Sequence, residues 1–290
     1  MSTISNLETI ITQKTQSDEQ WRLRRDAERE NANAVQDAGV MQITTEPEQY
    51  LRYLNCQADN LSYSAGNVAL VMVQDASATI FGTKERWKSL NRSVLASEEQ
   101  NGAKIFTRST FGKGYVLADV YDIRQTGGRD VKKITLQPDS KEMSAALSAL
   151  LNYSVVPILM EPSIPLPALY DPDQMKLAIN PSYADPEVFA GIAVEIAHTR
   201  FHSKGYNANY SRGDYELDAQ SVGYLLCRRF GIPAEAPDTS ILTALYEGYE
   251  PQDRRQALSQ IQSMAQKIGG SIERAIIPQI RNRNMNRNLR

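Results

Sequence analysis

The chain has 290 residues, long enough for two domains that each bury a core, with 41% hydrophobic residues and a formal charge of −2. That balance excludes a disordered or collagen-like chain and any global attraction to polyanions, so a nucleic-acid site has to be a local patch. The amino terminus lacks a basic segment followed by an apolar core, no apolar run approaches membrane-spanning length, and Cys56 and Cys227 lie far apart in helical-looking segments; the expectation is a cytoplasmic protein with reduced core thiols and no membrane contact.

Residues 17–31, SDEQWRLRRDAEREN, alternate acids and bases at helical spacing around Trp21 and Leu23, which predicts a solvated helical arm within residues 1–40. Thr45 with Glu48 three residues on has the form of a capping box before Tyr50, Leu51 and Leu54. The stretch YSAGNVALVMVQ, Tyr63 to Gln74, is uniformly apolar; periodicity admits a buried helix or strand, while its length and Ser64 in a cap position favour helix. Thr83 can cap TKERWKSL, and the alternating runs KIFTRS and YVLADVYDIRQT, separated by Gly112 and Gly114, predict antiparallel strands. Residues 41–135 therefore read as a mixed domain, with a boundary in TGGRDVKKITLQP.

Helical periodicity resumes at Lys141 through Leu151, and the proline-rich VVPILMEPSIPLPALYDPD cannot be regular helix. MKLAIN reads as a short strand. Asp185 followed by Pro186 opens a helix that carries Phe189, Ile192, Ala193 and Ile196, and a second helix runs from near Asp214 to a glycine stop at Gly231. The last fifty residues look helical to about Arg274, followed by the biased tract RNRNMNRNLR. The predicted class is α+β: a mixed helix and antiparallel-sheet domain over 41–135, a mainly helical domain over 136–235, and a helical extension with a basic tail over 236–290.

The first of those two helices contains VEIAHTRFH, residues 194–202. With His at 194 it would begin H-E-x-x-H, the spacing that sets two imidazoles one turn apart with a carboxylate beside the first. The residue is Val194. On a helix, Val194, His198 and His202 form one stripe with Glu195 beside it, and the two histidines are the only ones in the chain. A catalytic zinc needs three protein ligands and an open position, so Asp218, in the next helix, is the candidate third ligand to His198 and His202, with Glu195 as general base. Three readings stay open: a metal-free polar cluster, a metal site without peptidase activity, and an active hydrolase.

These residues resemble the ArdC-type antirestriction proteins, a mobile-element family that joins a single-stranded-DNA-binding domain to a zincin-like metallopeptidase domain. The resemblance runs through AGIAVEIAHTRFH and YELDAQSVGYLLCRRFGI and, less specifically, through YSAGNVALVMV, the TKERWKSL helix and the strand ending in DVYDIRQT. It implies Glu195 as the catalytic glutamate, His198 as the second histidine ligand and Asp218 at the acidic ligand. The first ligand falls on Val194, so the domain is expected to be degenerate and inactive as a peptidase, with zinc in question.

Between Lys84 and Lys113 the chain is locally basic: Lys84, Arg86, Lys88, Arg92, Lys104, Arg108 and Lys113 are interleaved with Phe81, Trp87, Phe106, Phe111 and Tyr115. Cations for phosphates beside ring faces for unstacked bases is the combination that single-stranded DNA favours, and Trp87 is counted in that patch. The sequence thus predicts a single-stranded-DNA-binding protein with an inactive zincin-like domain and an antirestriction role. Its rivals are an active zinc metallopeptidase using His198, His202 and Asp218, and a non-catalytic scaffold that captures a host protein.

Overall fold

The computed structural model describes residues 3–109, 112, 114–203 and 210–288. The charged amino-terminal stretch is one long helix, α1 (Thr3–Ile43). Residues 7–28 of this helix are exposed, and its last turns bury Ala32, Val40 and Ile43. Helix α2 (Pro47–Asp59) starts without the expected capping box. Pro47 occupies the first turn and Glu46 is the cap residue with no side-chain bond, because proline supplies the helical φ and has no amide to satisfy. The Thr45 hydroxyl instead accepts from Nη1 of Arg254 at 3.3 Å.

The apolar stretch is helix, as its length suggested: α3 (Ala65–Gln74) is capped by Ser64, whose side chain accepts from the Asn67 amide. Its Asn67 side chain then clamps the backbone of Phe106, donating to the carbonyl at 2.8 Å and accepting from the amide at 2.9 Å. After β1 (Phe81–Gly82), Thr83 caps α4 (Lys84–Ser89) by accepting from the Arg86 amide. β2 (Arg92–Val94) precedes the two predicted strands, β3 (Ala103–Arg108) and β4 (Tyr115–Asp122), which pair antiparallel with Arg108 opposite Tyr115. β1 adds to the other edge of β4, and β2 pairs with β5 (Thr126–Gly128) in a separate ribbon.

Helix α5 (Lys141–Leu151) follows, capped by Ser140. The proline-rich segment supplies two strands, β6 (Ile158–Met160) and β7 (Ala168–Asp171), flanking β8 (Lys176–Ile179) in the order β6-β8-β7. β6 runs parallel to β8 and β7 antiparallel. Helices α6 (Asp185–Ser203) and α7 (Arg212–Arg229) pack against each other, and β7 lies along α6. α7 ends as predicted: Gly231 takes φ +65°, and the Ile232 amide returns to the Cys227 carbonyl at 2.9 Å.

After α8 (Leu242–Leu245), the last helix, α9 (Pro251–Asn288), runs well past the expected stop near Arg274. Leu258, Ile261, Ala265, Ile268, Ile272 and Ile276 are all buried at spacings of three or four, so the apolar stripe itself passes Arg274. α9 packs on α1, α3, α5 and α7, and one continuous apolar cluster extends from Val40 to Ile276.

Candidate functional site

α6 and α7 are antiparallel: Val194 meets Gly223, and His198, one turn further along α6, meets Glu216, two turns back along α7. A Cβ on Gly223 would stand 2.5 Å from Val194 Cγ2, so the glycine is what lets the helices approach here. Val194 thus has a packing role in the place where the motif would have its first imidazole.

Beyond that contact lies a dense polar cluster. Glu195 is buried, and its carboxylate accepts from the Tyr170 amide at 2.8 Å and from Arg212 through Nη1 at 2.9 Å and Nη2 at 2.6 Å. The same guanidinium places Nε 3.2 Å from Glu216 Oε2. His198 is fully buried, with Nδ1 2.8 Å from the Tyr210 hydroxyl and Nε2 3.3 Å from Glu216 Oε2. That second approach is within ion-pair range but not aligned as a hydrogen bond, so Nε2 is enclosed without a hydrogen-bond partner among the described residues. His202 Nδ1 lies 2.6 Å from the Tyr170 hydroxyl, and Tyr210 stacks on its ring at 4.4 Å. The His198 imidazole holds the Glu216 carboxyl down at about 2, against the opposing effect of burial. Arg212 is pushed above its already high value, chiefly by its bonds to Glu195.

Asp218 takes no part. Residues 216 and 218 are about 200° apart on a helix, so with Glu216 turned to His198, Asp218 faces the opposite side. There it lines a cleft of about 870 Å³ with Tyr215, Tyr246 and Tyr249. Its Oδ1 is enclosed without a hydrogen bond among the described residues, and burial pushes its carboxyl up to about 7. The acidic partner of the histidine is therefore Glu216, which sequence reasoning missed. Its signal was the i, i+4 pair Arg212 and Glu216 on the α7 face that also carries Gly223.

The basic patch is distributed differently from its sequence. Trp87 is a core residue, fully buried and donating Nε1–H to the Tyr121 carbonyl at 2.9 Å. Arg92 braces the β2–β5 ribbon through Thr126, Gly128 and Arg129. Lys84 pairs with Glu99 at 3.0 Å and Lys104 with Asp119 at 2.7 Å, Arg86 lies over the Tyr63 ring, and Lys88 is exposed. Phe111 and Lys113 lie outside the described residues. Arg108, however, enters a groove of about 950 Å³ between α1, α3, β3 and α9, with Arg29, Arg255, Tyr63, Phe106 and Tyr115 on its walls. A second cleft of about 630 Å³ shares Arg29 and Tyr115 and adds Trp21, Arg24 and Arg25. Trp21 and Tyr115 are 57% and 53% exposed, and the Arg25 guanidinium lies over one face of the Trp21 ring at 5.0 Å.

No protein-family model and no curated protein matches the chain. Among solved structures, the Mn(II)-bound crystal structure of the antirestriction ArdC protein from the R388 plasmid aligns over 85% of this chain and 98% of that one, with a TM-score of 0.50 and 16% identity. The chain has the ArdC fold. The metal-free structure of the same ArdC protein aligns over 74% of this chain and 85% of that one, at a TM-score of 0.44 and 16% identity.

The ArdC neighbour was solved with Mn(II), and the residues of this chain do not fit such an ion. Among the described residues no three His, Cys, Asp or Glu side chains converge on a point that could hold a metal, so the expected set of His198, His202 and Asp218 is not assembled. Both Glu195 oxygens are engaged by Arg212, whose Nε also reaches Glu216. No described helix is long and apolar enough to cross a membrane.

Proposed function

We propose that this protein binds single-stranded DNA and acts as a mobile-element-associated antirestriction protein, with a zincin-like half that does not hydrolyse peptides. The observation that carries the reading is the pair of adjoining clefts in which Arg24, Arg29 and Arg108, with Arg25 paired to Asp26 and Arg255 to Asp37, stand among Trp21, Tyr63, Phe106 and Tyr115. Guanidinium groups can follow a phosphate backbone while exposed rings take bases that are not stacked in a duplex. Nothing in the sequence resembles a recognition helix, so binding is expected to be indifferent to sequence. The antirestriction role is supported by the ArdC fold, shared with a plasmid protein.

The non-hydrolytic reading rests on Glu195: a carboxylate bidentate to Arg212 is not free to take a proton. The DNA reading is tested by fluorescence anisotropy with a labelled oligonucleotide, single-stranded against duplex. Trp21→Ala and Tyr115→Ala are each expected to cost about 1–3 kcal/mol of single-strand binding, the usual yield of one stacked base. Equal affinity of both variants and wild type would contradict the groove.

A further inference from the structure

We propose that the Arg212 guanidinium is the resident cation of the α6–α7 centre, occupying the position at which a divalent ion would join Glu195, His198 and Glu216. The inference deepens the non-hydrolytic reading and is independent of DNA binding.

Three observations converge on it. First, one planar group satisfies two acids: Nη1 and Nη2 fork onto Glu195, and Nε reaches Glu216. A guanidinium matches a carboxylate in this bidentate way and a lysine ammonium does not. Second, His198 Nε2 is enclosed, has no aligned hydrogen bond among the described residues and lies 3.3 Å from the Glu216 oxygen that Arg212 also contacts. With Nδ1 held by Tyr210, Nε2 is the histidine nitrogen that faces the Glu216 oxygen shared with Arg212. Third, Val194 fills the space against Gly223 and brings no ligand.

The charges account for the substitution. Glu195 and Glu216 are two acids in a partly enclosed site, and two anions there need a compensating cation. A tethered guanidinium supplies it within the chain, without dependence on metal supply. It also blocks a metal, because an arriving ion would have to expel a fixed positive group.

The test is calorimetric titration of the full chain, first stripped with chelator, with Mn(II) and separately with Zn(II). The wild type is expected to take up neither stoichiometrically, and its unfolding midpoint should not move with either ion or with chelator. Arg212→Ala should take up one equivalent and gain thermal stability from it, and Arg212→Ala/His198→Ala should lose that uptake. Arg212→Lys keeps a charge but not the fork and should remain blind to metal with a lowered midpoint. Stoichiometric uptake by the wild type, abolished in His198→Ala, would overturn the proposal, as would a folded Arg212→Ala that takes up nothing. Should Arg212→Ala fail to fold in metal-free buffer, folding on addition of either ion supports the proposal and continued failure contradicts it. Proteolysis by the stripped wild type would sink the non-hydrolytic reading while leaving the place of Arg212 intact.

Discussion

Val194 faces Gly223 across the α6–α7 contact, and a larger side chain there has no room. Val194→His, which would restore the letters of the zinc motif, is therefore expected to destabilise the fold by about 1–3 kcal/mol through overpacking. It should bring no metal uptake while Arg212 is present; urea unfolding and metal analysis of the purified variant check the two halves of that expectation. Asp218 makes a different prediction. Its folded carboxyl, pushed up to about 7 from an ordinary 3.8, keeps its proton where the unfolded chain has already released it. The stability this gives is fully present below an unfolded value near 3.8 and is lost as pH rises through about 7. Asp218→Asn should flatten that fall and raise stability by up to about 4 kcal/mol above about pH 7, with little effect below about pH 4. Chemical unfolding across that window decides it, and an unchanged profile would mean that Asp218 is solvated.

Among the elements, α6 and α7 carry the centre, and their crossing depends on a missing side chain. Gly223→Ala should force the helices apart at a cost of about 1–3 kcal/mol. Val194→Ala in the same molecule should recover part of it, a coupling that a double-mutant cycle reads directly. Both helices were legible because each has a run of apolar residues between a recognisable start and stop; α3 and α4 were legible through Ser64 and Thr83. The face that α7 turns toward α6 was not. Asp218 suited the motif, yet helical periodicity sets it opposite Glu216, and only the position of Gly223 fixes which side points inward. The amino end of α2 was misread because Pro47 overrode the capping box, and the end of α9 because basic residues concealed an apolar stripe that continues through Ile276.

For the molecule as a whole, the α+β class followed from the alternation of helical and strand-like periods, whereas the groove did not. Its walls come from α1, α3, the β3–β4 hairpin and α9, segments up to more than two hundred residues apart, and sequence places side by side only neighbours in the chain. The run from Lys84 to Lys113 therefore looked like one surface. In the fold its Trp87 is core, its Arg92 is structural, Lys84 and Lys104 pair with acids, and Arg108 joins arginines from both terminal helices. The most direct test of the account is the dependence of oligonucleotide affinity on salt for wild type and Arg24→Ala/Arg29→Ala/Arg108→Ala. Each phosphate contact contributes about 0.7 to the slope of log affinity against log salt for a single strand, so the triple variant should bind more weakly and lose roughly 2 from that slope. A wild type whose binding is absent or insensitive to salt, or a triple variant with an unchanged slope, would contradict it.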